Sequence, residues 1–240
     1  MKLKIAISLL INSLFIDLTV AADDLSSIFS EGHVSGTIRA YYNTNQFETN
    51  PDQNAFSLGG NLHFETAPLY GMQAGVGFYS AHNLGLNSDR KEKVISVLPA
   101  ENIDILGEAY LRFTAFETAI TGGRHKVDTP FANLSDAFII PILFEGVSIY
   151  NQSIENLTLS ANYLIGIKNR PSDEFVNVGE FSTQRLGVTS ESTRGTTMAN
   201  ATYTIKSLKM QGWFYQFADL YNMGLFQADY AIPIDYAFKP

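Results

Sequence analysis

The chain has no cysteine among its 240 residues, which excludes a disulfide framework and leaves the fold to hydrogen bonding and packing. Basic residues are in deficit. There are 16 Lys and Arg against 24 Asp and Glu, a formal charge of -8, and an acidic surface repels nucleic-acid phosphates. Beyond residue 22 no apolar run reaches the roughly 18 residues of a membrane helix. With four His and no H-E-x-x-H string, no metal site is expected. G-x-S-x-G is missing too, and the pairs Gly75/Gly77 and Gly122/Gly123 sit in extended segments without a following helix, so neither a nucleophile elbow nor a phosphate loop is present. These gaps leave no expected cofactor and no catalytic residue.

What is present begins with an address. Lys2 and Lys4 precede an apolar run from Ile5 to Ile16, and Thr19-Val20-Ala21-Ala22 offers small residues for cleavage, the layout of a secretory signal peptide. The run is interrupted by Asn12, Ser13 and Asp17, which makes it a poor uncleaved anchor. Residues 1–22 are therefore expected to be removed and residues 23–240 to form the domain. Without Lys2, Lys4 and Asp17 the mature chain keeps 14 basic and 23 acidic residues.

Period-two alternation recurs along that domain. Val34, Gly36, Ile38, Ala40 and Tyr42 alternate with Ser35, Thr37, Arg39 and Tyr41, and Phe56, Leu58, Gly60, Leu62 and Phe64 with Ser57, Gly59, Asn61, His63 and Glu65. Met72, Ala74, Val76 and Phe78 alternate with Gln73, Gly75, Gly77 and Tyr79. Further strands are expected near 105–113, 117–123, 147–150, 157–165, 197–205, 208–217 and 223–232, ten in all. Most links after odd strands are long and every link after an even strand is short, the rule of an antiparallel up-and-down transmembrane β-barrel. A soluble lipocalin-like or sandwich protein shares the alternation, but its apolar face packs inward and needs no such division of loops. Aromatics near strand ends, among them Tyr42, Phe64, Phe78, Phe113 and Tyr203, suit interfacial girdles.

The segment from Leu106 to Tyr150 organises the rest. Gly107, Ala109, Leu111 and Phe113 are expected on one face of its first strand, with Leu106, Glu108, Tyr110 and Arg112 on the other. After the second strand comes a stretch with Arg124, Lys126, Asp128, Asp136 and Glu145, broken by Pro130 and Pro141, which is expected to be a charged loop folded into the lumen as a constriction.

The strings SGTIRAYYN (35–43), FSLGGNLHFETAPLYGMQAGVGFY (56–79), LGEAYLRF (106–113), GGRHKVDTPFAN (122–133) and FEGVSIYN (144–151) resemble the N-terminal half of OprD-like outer-membrane porins of the ε-proteobacterial type. The resemblance covers about residues 30 to 240. It implies an 18-stranded barrel unit, a monomer or one subunit of a homo-oligomer such as a trimer. Its third loop narrows the pore, and basic wall residues guide small carboxylate-bearing solutes such as amino acids. Ten strands against eighteen, and AIPIDYAFKP where the family ends on an aromatic residue, imply a partial or truncated chain.

The pore-lining set expected from this reading is Arg39, Glu108, Tyr110, Arg112 and Arg124 on the wall, with Asp128, Asp136 and Glu145 opposite on the loop. A fixed transverse field of this kind biases which ions and zwitterions pass. Each such charge could equally serve as a solvated rim or an ion pair that stiffens the wall. His63 with Glu65, or His125 with Asp128, could act as base and orienting carboxylate, yet neither pair is accompanied by a recognisable nucleophile. Two functions remain: a diffusion channel in the outer membrane, contacting lipid and small solutes, and a non-conducting barrel with a structural or surface-binding role.

Overall fold

A computed structural model describes residues 7–9, 24–95, 98–134, 136–187 and 194–232, with backbone alone for 7–9 and 185–186. Among these described residues eleven strands form one sheet in which sequence neighbours are sheet neighbours: β1 (Ile7–Leu9), β2 (His33–Asn45), β3 (Gln53–Glu65), β4 (Met72–His82), β5 (Ile103–Ala115), β6 (Thr118–His125), β7 (Leu143–Ile154), β8 (Leu157–Lys168), β9 (Thr196–Ile205), β10 (Leu208–Phe217) and β11 (Tyr221–Tyr230). The ten strands expected from alternation correspond to β2–β11. Most of the expected export signal and residues 233–240 lie outside the described residues. Within that signal, Ile7–Leu9 pairs antiparallel with the Ala40–Tyr42 segment of β2.

Most of these strands run ten to thirteen residues, enough to cross hydrocarbon at a tilt. Short links join β3 to β4, β5 to β6, β7 to β8 and β9 to β10. Three of them are two residues long, and in one, Phe116–Glu117, both residues have positive φ, as the hairpin turn whose twist matches its strands requires. Longer links, 46–52, 83–102, 126–142 and 169–195, lie at the opposite strand ends, where the three-residue link 218–220 is the exception. The link 169–195 contains α1 (Val178–Leu186), a helix that alternation alone does not announce. Asn177 caps it by accepting from the Glu180 amide at 2.9 Å, and Gly187 ends it at φ +66.

The chain divides into two compact units: residues 1–112, 122–145 and 166–176, and residues 113–121, 146–165 and 177–240. In the first, antiparallel register fixes two faces. Val34–Phe64–Val76 and Gly36–Leu62–Phe78 form rows on one, and Ser35–His63–Gly77 and Thr37–Asn61–Tyr79 on the other. The apolar rows are open to the surroundings: Ile38 is 78% and Leu62 60% exposed. Such a face in water would be a large apolar patch, whereas in lipid it is the satisfied state.

Three expectations need correction here. Leu106 does not share a face with Glu108, since it is 47% exposed and Glu108 only 3%. Gly107 and Glu108 both turn to the polar face, where a Cβ at Gly107 would meet Leu143 and Tyr79. Two consecutive inward residues mark a bulge that reverses parity along β5. Next, β7 starts at Leu143 instead of Val147, so Glu145 is a wall residue and the loop ends at residue 142. Finally, the polar face is not wholly wet. Val94, Ile95 and Leu98 from the link 83–102, and Ile139 and Ile140 from the link 126–142, pack with Ala55, Tyr79, Ala81, Ile103, Ile105 and Leu143 into an apolar core. Those links carry enough apolar side chains to bury one another, which outweighs their average polarity.

Candidate functional site

Glycine makes the room in which the charged groups of the first unit sit. On the polar face of β4, a Cβ at Gly75 would strike the Tyr110 ring, and one at Gly77 would lie 2.9 Å from Glu108 Oε1. Into that space β5 projects Glu108, Tyr110 and Arg112. Glu108 accepts a hydrogen bond from the Tyr79 hydroxyl at 2.5 Å, Lys126 Nζ lies 3.2 Å from the same oxygen, and His63 Nε2 lies 3.8 Å from the other. One turn of pleat away, Glu65 accepts from the Tyr110 hydroxyl at 2.6 Å and from Arg112 Nη1 at 3.0 Å. The Arg112 guanidinium also lies 5.2 Å from the Tyr110 ring centroid, and that ring stacks with His63 at 6.3 Å. Two carboxylates and two cations thus alternate over a few ångströms, a near-neutral but strongly dipolar surface.

Arg39 forms a second cluster. From β2 its guanidinium donates to both Asp136 oxygens, at 2.5 and 2.9 Å, and to the Phe138 carbonyl at 2.7 Å. The bidentate fork and the carbonyl use Arg39 as a three-point clamp on the link 126–142. Phe138 reinforces it, its ring tilted against Tyr41 at 5.3 Å with the Arg170 guanidinium 4.9 Å from its centroid. A third pair, Arg124 Nε to Glu145 Oε2 at 3.0 Å, joins β6 to β7, with the Arg124 guanidinium 4.4 Å from the Phe175 ring.

The structure thus brings together Arg39 with Asp136, Arg124 with Glu145, and Glu108 with Tyr110 and Arg112 through Glu65 and His63. Asp128 is placed apart, exposed on the link. Among the described residues, Arg39 is the expected wall cation that lies against a loop carboxylate, Asp136. Arg112 finds its carboxylate on β3, across β4, and Arg124 finds its own on the neighbouring β7, while Lys126 reverses the scheme by carrying a loop cation to a wall carboxylate. Glu65, Tyr79 and Lys126 belong to the network although the sequence reading leaves them out of the site. Parity puts Glu65 and Tyr79 on the polar face, which was the available signal. Of the histidines weighed as bases, His63 Nε2 lies 3.8 Å from Glu108, and His125 Nδ1 bonds the Gly123 carbonyl at 2.9 Å. Lys168, fully buried at the end of β8, donates to the Arg170 carbonyl at 3.3 Å and was not anticipated.

In the second unit the polar face carries the rows Ser160–Asn200–Trp213–Leu225 and Asn162–Met198–Tyr215–Met223. Its rings stack along β10, Trp213 on Tyr215 at 5.8 Å and Tyr215 on Phe217 at 6.1 Å. Between the links, Arg194 pairs with Asp219, whose carboxylate raises the guanidinium pKa further. Among the described residues no group of His and carboxylates is placed to hold a metal ion.

Antiparallel strands long enough to cross a bilayer, an exposed apolar face and a polar face laced with ion pairs define a transmembrane β-sheet of the outer-membrane kind. The family model described as outer membrane porin, OprD family, matches residues 29–239. This chain belongs to the OprD family of outer-membrane porins. Solved structures share the fold. A BenF-like porin from Pseudomonas fluorescens Pf-5 matches with TM-score 0.70 at 17% identity over 86% of this chain and 55% of its own. Pseudomonas aeruginosa OccK2 (OpdF), solved in complex with glucuronate, gives 0.70 at 16% over 87% and 52%. Pseudomonas aeruginosa OccD3 (OpdP) gives 0.66 at 18% over 86% and 46%. The chain therefore spans about half the length of these structures. No curated protein matches it.

Proposed function

We propose that the chain forms the wall and constriction of a passive diffusion channel for small zwitterionic or carboxylate-bearing solutes, after export directed by residues 1–22. The observation that carries this reading is the Arg39 clamp, which holds the link 126–142 against the polar face. Around it Arg112, Arg124, Glu145 and Lys126 each remain partly exposed, so every pair keeps hydrogen-bonding capacity toward a passing solute. A zwitterion can exchange its own ammonium and carboxylate against such alternating charges at little net electrostatic cost. The glucuronate in the OccK2 structure is a carboxylate-bearing solute of this class.

A non-conducting barrel is the second reading, favoured by the apolar core that occupies the polar face of β3 to β5. Planar-bilayer recording of the refolded chain separates the two. The channel reading expects discrete conductance steps that grow in Arg39→Gln, where the link is unclamped; a silent bilayer with correctly folded protein supports the second reading.

A further inference from the structure

The apolar face of β2, β3 and β4 is interrupted by one low row. Between Gly36–Leu62–Phe78 and Ala40–Leu58–His82 lies Ile38–Gly60–Ser80, in which two of the three residues are small. Gly60 is irreplaceable there: its φ is +148, and a Cβ would collide with the Thr37 carbonyl oxygen. The missing side chains leave a groove of about 390 Å³ walled by Ile38, Leu58, Leu62, Phe78 and Leu84. At the end nearest the link 83–102 the groove becomes polar. His82 Nε2 lies 3.1 Å from each Asp104 carboxylate oxygen. Both members of the pair stay reachable, His82 at 37% and Asp104 at 52% side-chain exposure.

A carboxylate on the lipid-facing side is costly in mid-bilayer and tolerated near the interface, and this one stands at the strand ends beside a long link. The groove is continuous with the hydrocarbon-facing band and has the volume of a small-ligand site. A packed helix about 10 Å across does not fit it. An apolar trough with a hydrogen-bonding cap matches an amphiphile in orientation as well as chemistry. We propose that this groove binds one acyl chain of an outer-leaflet glycolipid whose sugar hydroxyls hydrogen-bond to the His82–Asp104 pair. The pair carries at most zero net charge, so it recognises hydroxyls and not phosphate.

This inference goes beyond the channel reading and depends only on the apolar face meeting lipid. Its test is native mass spectrometry of the refolded full chain in detergent, with a monoglycosyl diacylglycerol as probe and phosphatidylcholine of the same acyl chains as comparator. The chain should retain one glycolipid and prefer it to phosphatidylcholine by about tenfold. His82→Leu with Asp104→Leu, which suits a lipid-facing surface, should abolish the preference. Ile38→Trp, which fills the groove, should abolish retention, and Val76→Trp, on the same face outside it, should leave retention intact. Circular dichroism establishes that each variant is folded. Equal retention of both lipids, or equal loss in the two Trp variants, overturns the proposal.

Discussion

The Tyr79 hydroxyl donates to Glu108 Oε1 at 2.5 Å in a setting where both side chains are buried, and Lys126 reaches the same oxygen from the link 126–142. A buried carboxylate persists because its partners compensate for lost water. Glu108→Ala strands the Tyr79 hydroxyl and frees Lys126, so a loss of about 1–3 kcal/mol is expected. Glu108→Gln keeps one acceptor and should cost less. Urea unfolding in vesicles, followed by circular dichroism, measures both; an Ala variant as stable as the parent means the network contributes nothing to the fold.

Arg39 makes three contacts to the link and Asp136 supplies two of them. Removing Asp136 leaves the Phe138 carbonyl bond in place, while removing Arg39 loses the entire clamp. Arg39→Ala should therefore exceed Asp136→Ala in its effect, and the double variant should fall short of the sum by about 0.5–3 kcal/mol. Limited proteolysis gives an independent readout, with faster cleavage between 126 and 142 in Arg39→Ala than in Asp136→Ala. Equal rates would show that Asp136 alone holds the link.

Alternation made the strands legible because side chains of β2, β3, β4 and β8–β10 keep strict parity with an unlike solvent on each face. It failed at Gly107–Glu108, where a bulge shifts parity by one and nothing local marks it; the cause is packing of Leu143 and Tyr79 over Gly107. It also failed at Leu143 to Glu145, where Pro141 and a run of apolar residues conceal a strand start. The ion-pair partners were only partly readable. Parity selects the face of Glu65, but the way the link 126–142 folds is set by Ile139 and Ile140 joining a core drawn from distant segments. Long-range burial of that kind leaves no periodic trace.

Thr37 and Ile38 are adjacent on β2 and turn to opposite faces, Thr37 opposite Asn61 and Ile38 opposite Gly60. An arginine at Ile38 must be held in hydrocarbon or snorkel out of it, at about 2–4 kcal/mol near mid-bilayer. The same arginine at Thr37 meets the polar face and should cost well under half as much. Equilibrium unfolding from vesicles of the two variants compares them directly, and equal costs would be incompatible with these face assignments.

The sole tryptophan gives a test of face assignment in the second unit that needs little perturbation. Trp213 lies on the polar face opposite Asn200 and Leu225, its indole Nε1 donating to Gln211 Oε1 at 3.3 Å, while Phe214 lies on the apolar face. Quenchers confined to acyl chains act only over short distances, so brominated lipid should leave the emission of the native chain nearly unchanged. Moving the fluorophore by one residue, in Trp213→Phe with Phe214→Trp, should carry it across the sheet and produce strong quenching by brominated lipid with a blue-shifted emission. If the native indole is quenched as strongly as the displaced one, β10 presents its stacked rings to lipid, and the polar face of this unit has been drawn on the wrong side.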